Sequence, residues 1–168
     1  MKHLRFIAAA LAAILLVSSC SILGLGGNSN TNTTSTTATP TSIGSSTGSA
    51  LIAIYNVLKS TGIIDLSNLT NIINLGQILT GATSLSNATS AYADQFASGL
   101  IAGSNNAINE SNVASVMESL KSLSSVNAKA INKAASNAYA GNATTLSATA
   151  PGVNQTLNTL NDIFATLK

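Results

Sequence analysis

Only 7% of this 168-residue chain is charged, with seven Lys and Arg against five Asp and Glu, so the clustered positive charge on which phosphate-backbone recognition rests is excluded. Its one histidine, His3, and its one cysteine, Cys20, both lie in the first twenty residues. Everything after them lacks the side chains that zinc and most transition-metal sites require, and lacks the commonest general base near neutral pH.

Lys2 and Arg5 form a basic start, and Phe6 to Val17 follows as an unbroken run of twelve apolar residues. That length sits inside the roughly 7–15 residues of a secretory h-region and below the about 20 needed to span a bilayer. Ser18 and Ser19 then lead into Cys20. Val17-Ser18-Ser19-Cys20 resembles the bacterial lipobox, in which an aliphatic and two small residues precede a cysteine that is lipidated on sulfur, exposed by cleavage and acylated on its new amine.

An ordinary signal peptide that happens to end near a cysteine, and an uncleaved N-terminal anchor, are the alternatives. The run length, the small residues and the single cysteine fall together on the lipoprotein reading. An unpaired cysteine in an exported chain asks for an explanation other than an intramolecular disulfide, and lipidation is one. One acyl chain binds a membrane marginally at about 0.8 kcal/mol per buried methylene, whereas two or three hold almost permanently. The resemblance therefore implies a signal peptide over 1–19, palmitate-type lipidation at Cys20 and a membrane as partner. Ser21 follows the cysteine and no acidic residue occurs before Asp65. By the same resemblance this implies the outer membrane, facing the periplasm, with surface exposure as the other outcome.

Loss of Lys2 and Arg5 with the signal leaves five lysines against Asp65, Asp94, Glu110, Glu118 and Asp162, so the +2 of the whole chain becomes side-chain neutrality. After Ser21-Ile22-Leu23-Gly24-Leu25-Gly26-Gly27, Asn28 to Gly48 is nearly all Ser, Thr, Asn and Gly around Pro40, a composition that buries too little apolar surface to offset its ordering entropy. We expect residues 20–48 to be the lipidated cysteine and a flexible tether reaching about 30 Å as a random coil, and residues 49–168 to be a helical domain. Gly24-Leu25-Gly26-Gly27 lacks both the spacing and the preceding strand of a dinucleotide fingerprint.

From Ser49 the period turns helical. Leu51, Ile54, Tyr55 and Leu58 repeat at i, i+3, i+4, i+7 between a Ser49 cap and a Gly62 stop. A second helix is expected over Asp65–Thr80 on Leu66, Leu69, Ile72, Ile73, Leu75 and Leu79, with Ile63-Ile64 as a competing short strand, and then a connector over Gly81–Ala88. Tyr92, Phe96, Leu100 and Gly103 mark a third. Its Gly99-x-x-x-Gly103 resembles the motif that brings membrane helices together, but the segment is too short and polar to span a bilayer and reads as close packing or a frayed end. Ser111 is expected to cap a helix bearing Val113, Val116, Met117, Leu120 and Leu123. Ala128, Ile131, Ala135, Ala138 and Tyr139 mark another, ending at Gly141, and 142–150 reads as a loop. Pro151 opens the last helix, whose stripe is Val153, Leu157, Leu160, Phe164 and Leu167. The expected fold is all-α, a small bundle of about five or six short helices.

No catalytic, cofactor or metal site is legible. The residues three before Lys59, Lys121, Lys129 and Lys133 are Asn56, Glu118, Val126 and Ala130, so a Ser-x-x-Lys hydrolase motif is absent there, and five scattered acids define no glycosidase pair. Lys129 and Lys133 share a helix face and read as a solvated edge. Six Asn-x-Ser/Thr sequons, at Asn32, Asn68, Asn87, Asn109, Asn142 and Asn154, follow from composition. The expectation is a non-catalytic envelope lipoprotein that docks on an envelope protein or self-associates, without cofactor, metal or nucleic acid. The alternative is a surface-displayed adhesin-like module with a Ser/Thr/Asn face for carbohydrate or assembly.

Overall fold

The computed structural model describes residues 38–167; the expected signal segment, Cys20 and the expected tether up to residue 37 lie outside the described residues. The described part is helical throughout, with no strand: α1 Pro40–Thr61, α2 Leu69–Leu85, α3 Ser90–Gly103, α4 Val113–Leu123, α5 Lys129–Tyr139 and α6 Val153–Ala165. The short strand considered at Ile63-Ile64 does not form, and Ile63 is the one large apolar side chain left exposed there.

The largest departure from expectation is the start of α1. It begins not at Ser49 but at Pro40, with Thr39 as N-cap: the Thr39 hydroxyl accepts from the Ser42 N–H at 3.1 Å. Residues 40–48, expected to be tether, are thus helix. Their poor intrinsic propensity is overridden by packing against α3, α1's most extensive interface. A Cβ on Gly44 would strike the Phe96 carbonyl, one on Gly48 the Leu100 carbonyl, one on Gly99 the Thr41 carbonyl and one on Gly103 the Ser45 carbonyl. Both members of the pair increase together along the chain, so the two helices run parallel, with their backbones as close as only glycine allows. This geometry favours Cα–H···O contacts. Ser49 Oγ adds a donor to the Gly103 carbonyl at 3.0 Å. At its other end α1 stops where expected, at Gly62 (φ 75°), whose N–H donates to the Leu58 carbonyl at 2.8 Å.

α2 is the helix around which the others gather, contacting α1, α4 and α5. Its N-cap is Asn68, whose Oδ1 accepts from the N–H groups of Thr70 and Asn71 at 2.9 and 3.3 Å. Ile72, Leu75, Ile78 and Leu85 are fully buried. The helix continues through the expected connector to Leu85, because Gly81 and Ala82 face inward, Gly81 directly against the Thr47 side chain of α1. The connector shrinks to 86–89, and Thr89 caps α3 by accepting from the Tyr92 N–H at 3.3 Å.

After α3 the chain turns through Asn105 and Asn106, both left-handed (φ 53° and 63°). The fully buried Ser104 ties this turn by accepting from the Ile108 N–H at 3.0 Å and donating to the Ile101 carbonyl at 2.9 Å. Ser111 does not cap α4. Its N–H and hydroxyl donate to Asn109 Oδ1 at 3.0 and 2.6 Å, closing an Asx turn, and Asn112 occupies the position before the helix. α5 ends at Tyr139, with Gly141 in the left-handed region (φ 73°), as its sequence indicates. Pro151 precedes α6 instead of opening it. Gly152 (φ 82°) takes the cap position, pressed so close to the Asn127 carbonyl that a Cβ would collide.

On α6, Val153, Leu160 and Phe164 are buried and Leu157 half-buried, while Leu167, expected on the same stripe, lies half-buried beyond the helix end at Ala165; Thr156 and Ile163 are buried too, so the inward stripe is broader than expected. Phe164 packs on Tyr55 of α1, and α6 also lies along α4. Serine and threonine hydroxyls on the helices turn back onto their own backbone: Thr47 donates to Ile43, Thr80 to Gly76, Thr83 to Leu79, Ser98 to Asp94 and Thr156 to Gly152 carbonyls, at 2.8–3.1 Å. No helix among the described residues is long and apolar enough to cross a membrane.

Candidate functional site

Cys20, the one residue for which the lipobox resemblance implies a chemical role, lies outside the described residues. Within them, one concave feature is an open depression of about 250 Å³ between α5 and the loop that follows it. α5 contributes Lys133 and Asn137, and the loop contributes Thr144, Thr145 and Ser147. The loop is held in place by Leu146, the apolar residue in an otherwise polar stretch. Leu146 is 6% exposed, and its N–H donates to the Leu66 carbonyl at 2.9 Å. The Ser147 and Thr149 hydroxyls bond each other at 2.8 Å beyond it.

This arrangement offers one ammonium, one amide and several hydroxyls around a shallow apolar floor of Ala130, Ala134 and Ala150. Such a set can solvate a small polar molecule but contains no nucleophile paired with a base, which acyl or glycosyl transfer needs. Lys129 and Lys133 are both exposed, and Lys133 alone lines the depression. Loop residues 144–147 were not singled out from sequence. The only signal for them is Leu146, an apolar side chain that must be buried somewhere.

The carboxylates are spread over separate elements: Asp65 before α2, Asp94 on α3, Glu110 before α4, Glu118 on α4 and Asp162 on α6. Among the described residues no three acids, cysteines or histidines group as metal ligands. Glu118 pairs with Lys121 at 2.7 Å, one helical turn away and exposed, a geometry worth only tenths of a kcal/mol. Asp65 is held below the ordinary carboxylate range, first by the Ser67 hydroxyl at 2.6 Å and then by the Ser67 N–H at 2.8 Å. Burial pushes the Tyr139 phenol up, against an opposing hydrogen bond from the Gln77 side chain. Both groups are accounted for by local structure.

Three sequons are likewise employed in folding: Asn68 caps α2, Thr89 caps α3 and Asn109 closes the turn before α4. No protein-family model matches the chain, nor does any curated protein or solved structure.

Proposed function

We propose that the chain is the precursor of a bacterial envelope lipoprotein, anchored through lipid on Cys20, whose helical domain serves as a non-catalytic structural or protein-interaction module. One observation carries this reading: a basic start, twelve apolar residues and Val17-Ser18-Ser19 run directly into the chain's single cysteine. The membrane is engaged by acyl chains added at that cysteine, and no spanning helix is required. The domain's small net charge and scattered acids suit a protein held at a surface and bound to a neighbouring protein or to itself more than one that steers a charged substrate.

Replacement of Cys20 by alanine tests the anchor. The wild-type chain incorporates palmitate and is shortened at residue 19, whereas Cys20→Ala leaves an unprocessed, unlabelled precursor. Labelling that survives the substitution rejects the lipoprotein reading. Protease added to intact cells separates the two placements: a periplasm-facing protein is protected, and a surface-displayed adhesin-like module is digested.

A further inference from the structure

The two halves of α1 are held by different means. In the second half Leu51 and Ile54 are fully buried, Tyr55 packs on Phe164, and Ala50 is 1% exposed. In the first half, Pro40–Gly48, the buried residues are Gly44, Thr47 and Gly48, and the one large apolar residue, Ile43, is only partly covered. This half therefore contributes little apolar area to the core. It rests on α3 through backbone approach, with the buried Thr47 side chain against Gly81 of α2, and is tied at its end by Ser49 Oγ on the Gly103 carbonyl.

Its residues also oppose helix when alone. Two glycines, three serines and two threonines within Pro40–Gly48 are poor interior helix formers, with glycine near 1 kcal/mol worse than alanine. The helix of this half accordingly depends on its docking for stability. It is moreover the first element of the described residues, so any pull on the domain from its N-terminal side arrives at Pro40 before it reaches Leu51.

We propose that Pro40–Gly48 is a releasable latch. It is helical while seated on α3 and unwinds as a unit, with the core intact, when it leaves that seat. Helix rises 1.5 Å per residue and extended chain about 3.3 Å, so each released residue lengthens the connection by up to about 1.8 Å. The latch sets how far the domain stands from its attachment point. That consequence rests on the lipid anchor proposed above, whereas the latch itself does not.

Amide hydrogen exchange on the mature chain, Cys20–Lys168, reads the latch directly, because local opening and global unfolding give separate rates. Amides within residues 42–48 are expected to exchange about tenfold or more faster than those of Leu51–Leu58 and of Ile72–Leu79. Gly99→Ala, which sets a methyl against the Thr41 carbonyl, is expected to remove protection from 42–48 while leaving Ile72–Leu79 slow. Exchange of 42–48 in the same slow phase as Ile72–Leu79 overturns the proposal. So does a Gly99→Ala chain in which Ile72–Leu79 loses protection in step with 42–48. The wild-type pattern decides by itself if that variant does not fold, and neither readout depends on whether Cys20 carries lipid.

Discussion

The rings of Tyr55 and Phe164 meet with centroids 5.4 Å apart and planes inclined by 52°, joining α1 to α6. Tilted aromatic pairs at this separation add about 0.5–1.5 kcal/mol to the area they bury, and Lys59 Nζ lies 5.8 Å from the Tyr55 centroid on the solvent side. The last helix therefore closes onto the first through a buried Phe164 and a half-buried Tyr55.

Replacing Phe164 or Leu160 by aspartate is expected to unfold the domain or nearly so, while Asn161→Asp changes little. Leu160 is fully buried and Phe164 is 3% exposed, whereas Asn161 is exposed. An unpaired carboxylate placed at either buried position costs several kcal/mol, against a stability of about 5–15 kcal/mol for an ordinary domain. Urea or thermal denaturation of the three variants checks the ordering; curves for the Leu160 and Phe164 variants that overlay the parent would contradict the burial.

Gly76 of α2 faces Ala135 of α5 so closely that a Cβ on Gly76 would lie 2.6 Å from that of Ala135. Gly76→Ala should cost about 1–3 kcal/mol through overpacking. The exchange Gly76→Ala with Ala135→Gly keeps the number of methyls at the crossing and moves one glycine from helix to helix, so its stability should return to within about 1 kcal/mol of the parent. A double variant as unstable as Gly76→Ala alone would show that the two helices do not meet there.

Asn68→Ala should lower stability by about 1 kcal/mol, since its Oδ1 satisfies two of the first N–H groups of α2. Asn68→Asp retains the acceptor and adds a charge favourable to the helix dipole, so it should equal or exceed the parent. Chemical denaturation of the pair separates capping from any general effect of altering residue 68.

Asp65 provides the pH test. Its lowered value means that the native state prefers the carboxylate, so the stability it contributes is fully present above the ordinary carboxylate pKa. That contribution fades as pH falls through the lowered value. Ser67→Ala removes the largest cause, the hydroxyl, and leaves the N–H. An NMR titration of Asp65 should move upward part of the way toward the ordinary value, and an unchanged titration would contradict the turn.

Circular dichroism of the Thr39–Lys168 fragment should show a helix-dominated spectrum, and a strand-dominated one would refute the bundle. A fragment starting at Ser49 should keep the helical spectrum and lose helix only in proportion to the residues removed.

How much of this fold the sequence reveals depends on what each residue buries. Leu51, Ile54, Tyr55 and Leu58 mark α1 because their periodicity records a single inward face, and Gly62 and Gly141 mark helix ends because a left-handed residue is needed there. Pro40–Gly48 gives no such signal, since a helix packed through glycines and hydroxyls has the composition of a linker. Gly99-x-x-x-Gly103 is visible as a close-packing motif, but its partner, Gly44-x-x-x-Gly48, lies within the stretch whose composition predicts coil. Gly81 misleads for the same reason: its missing side chain makes room for Thr47 and does not break α2. The α5 depression is illegible from sequence because Thr144, Thr145 and Ser147 are arranged by a loop that the burial of Leu146 and its N–H on the distant Leu66 carbonyl fix.

The hydroxyls that turn back onto their own helices have a consequence for what the surface can offer a visitor. A serine or threonine has a single proton to give, and at Thr80, Thr83 and Ser98 it is given to the carbonyl four residues earlier. The outward side of each such group is a lone pair or a methyl. At these positions a hydroxyl counted as polar by its name can accept a hydrogen bond from solvent or a neighbour but has no proton left to donate to one.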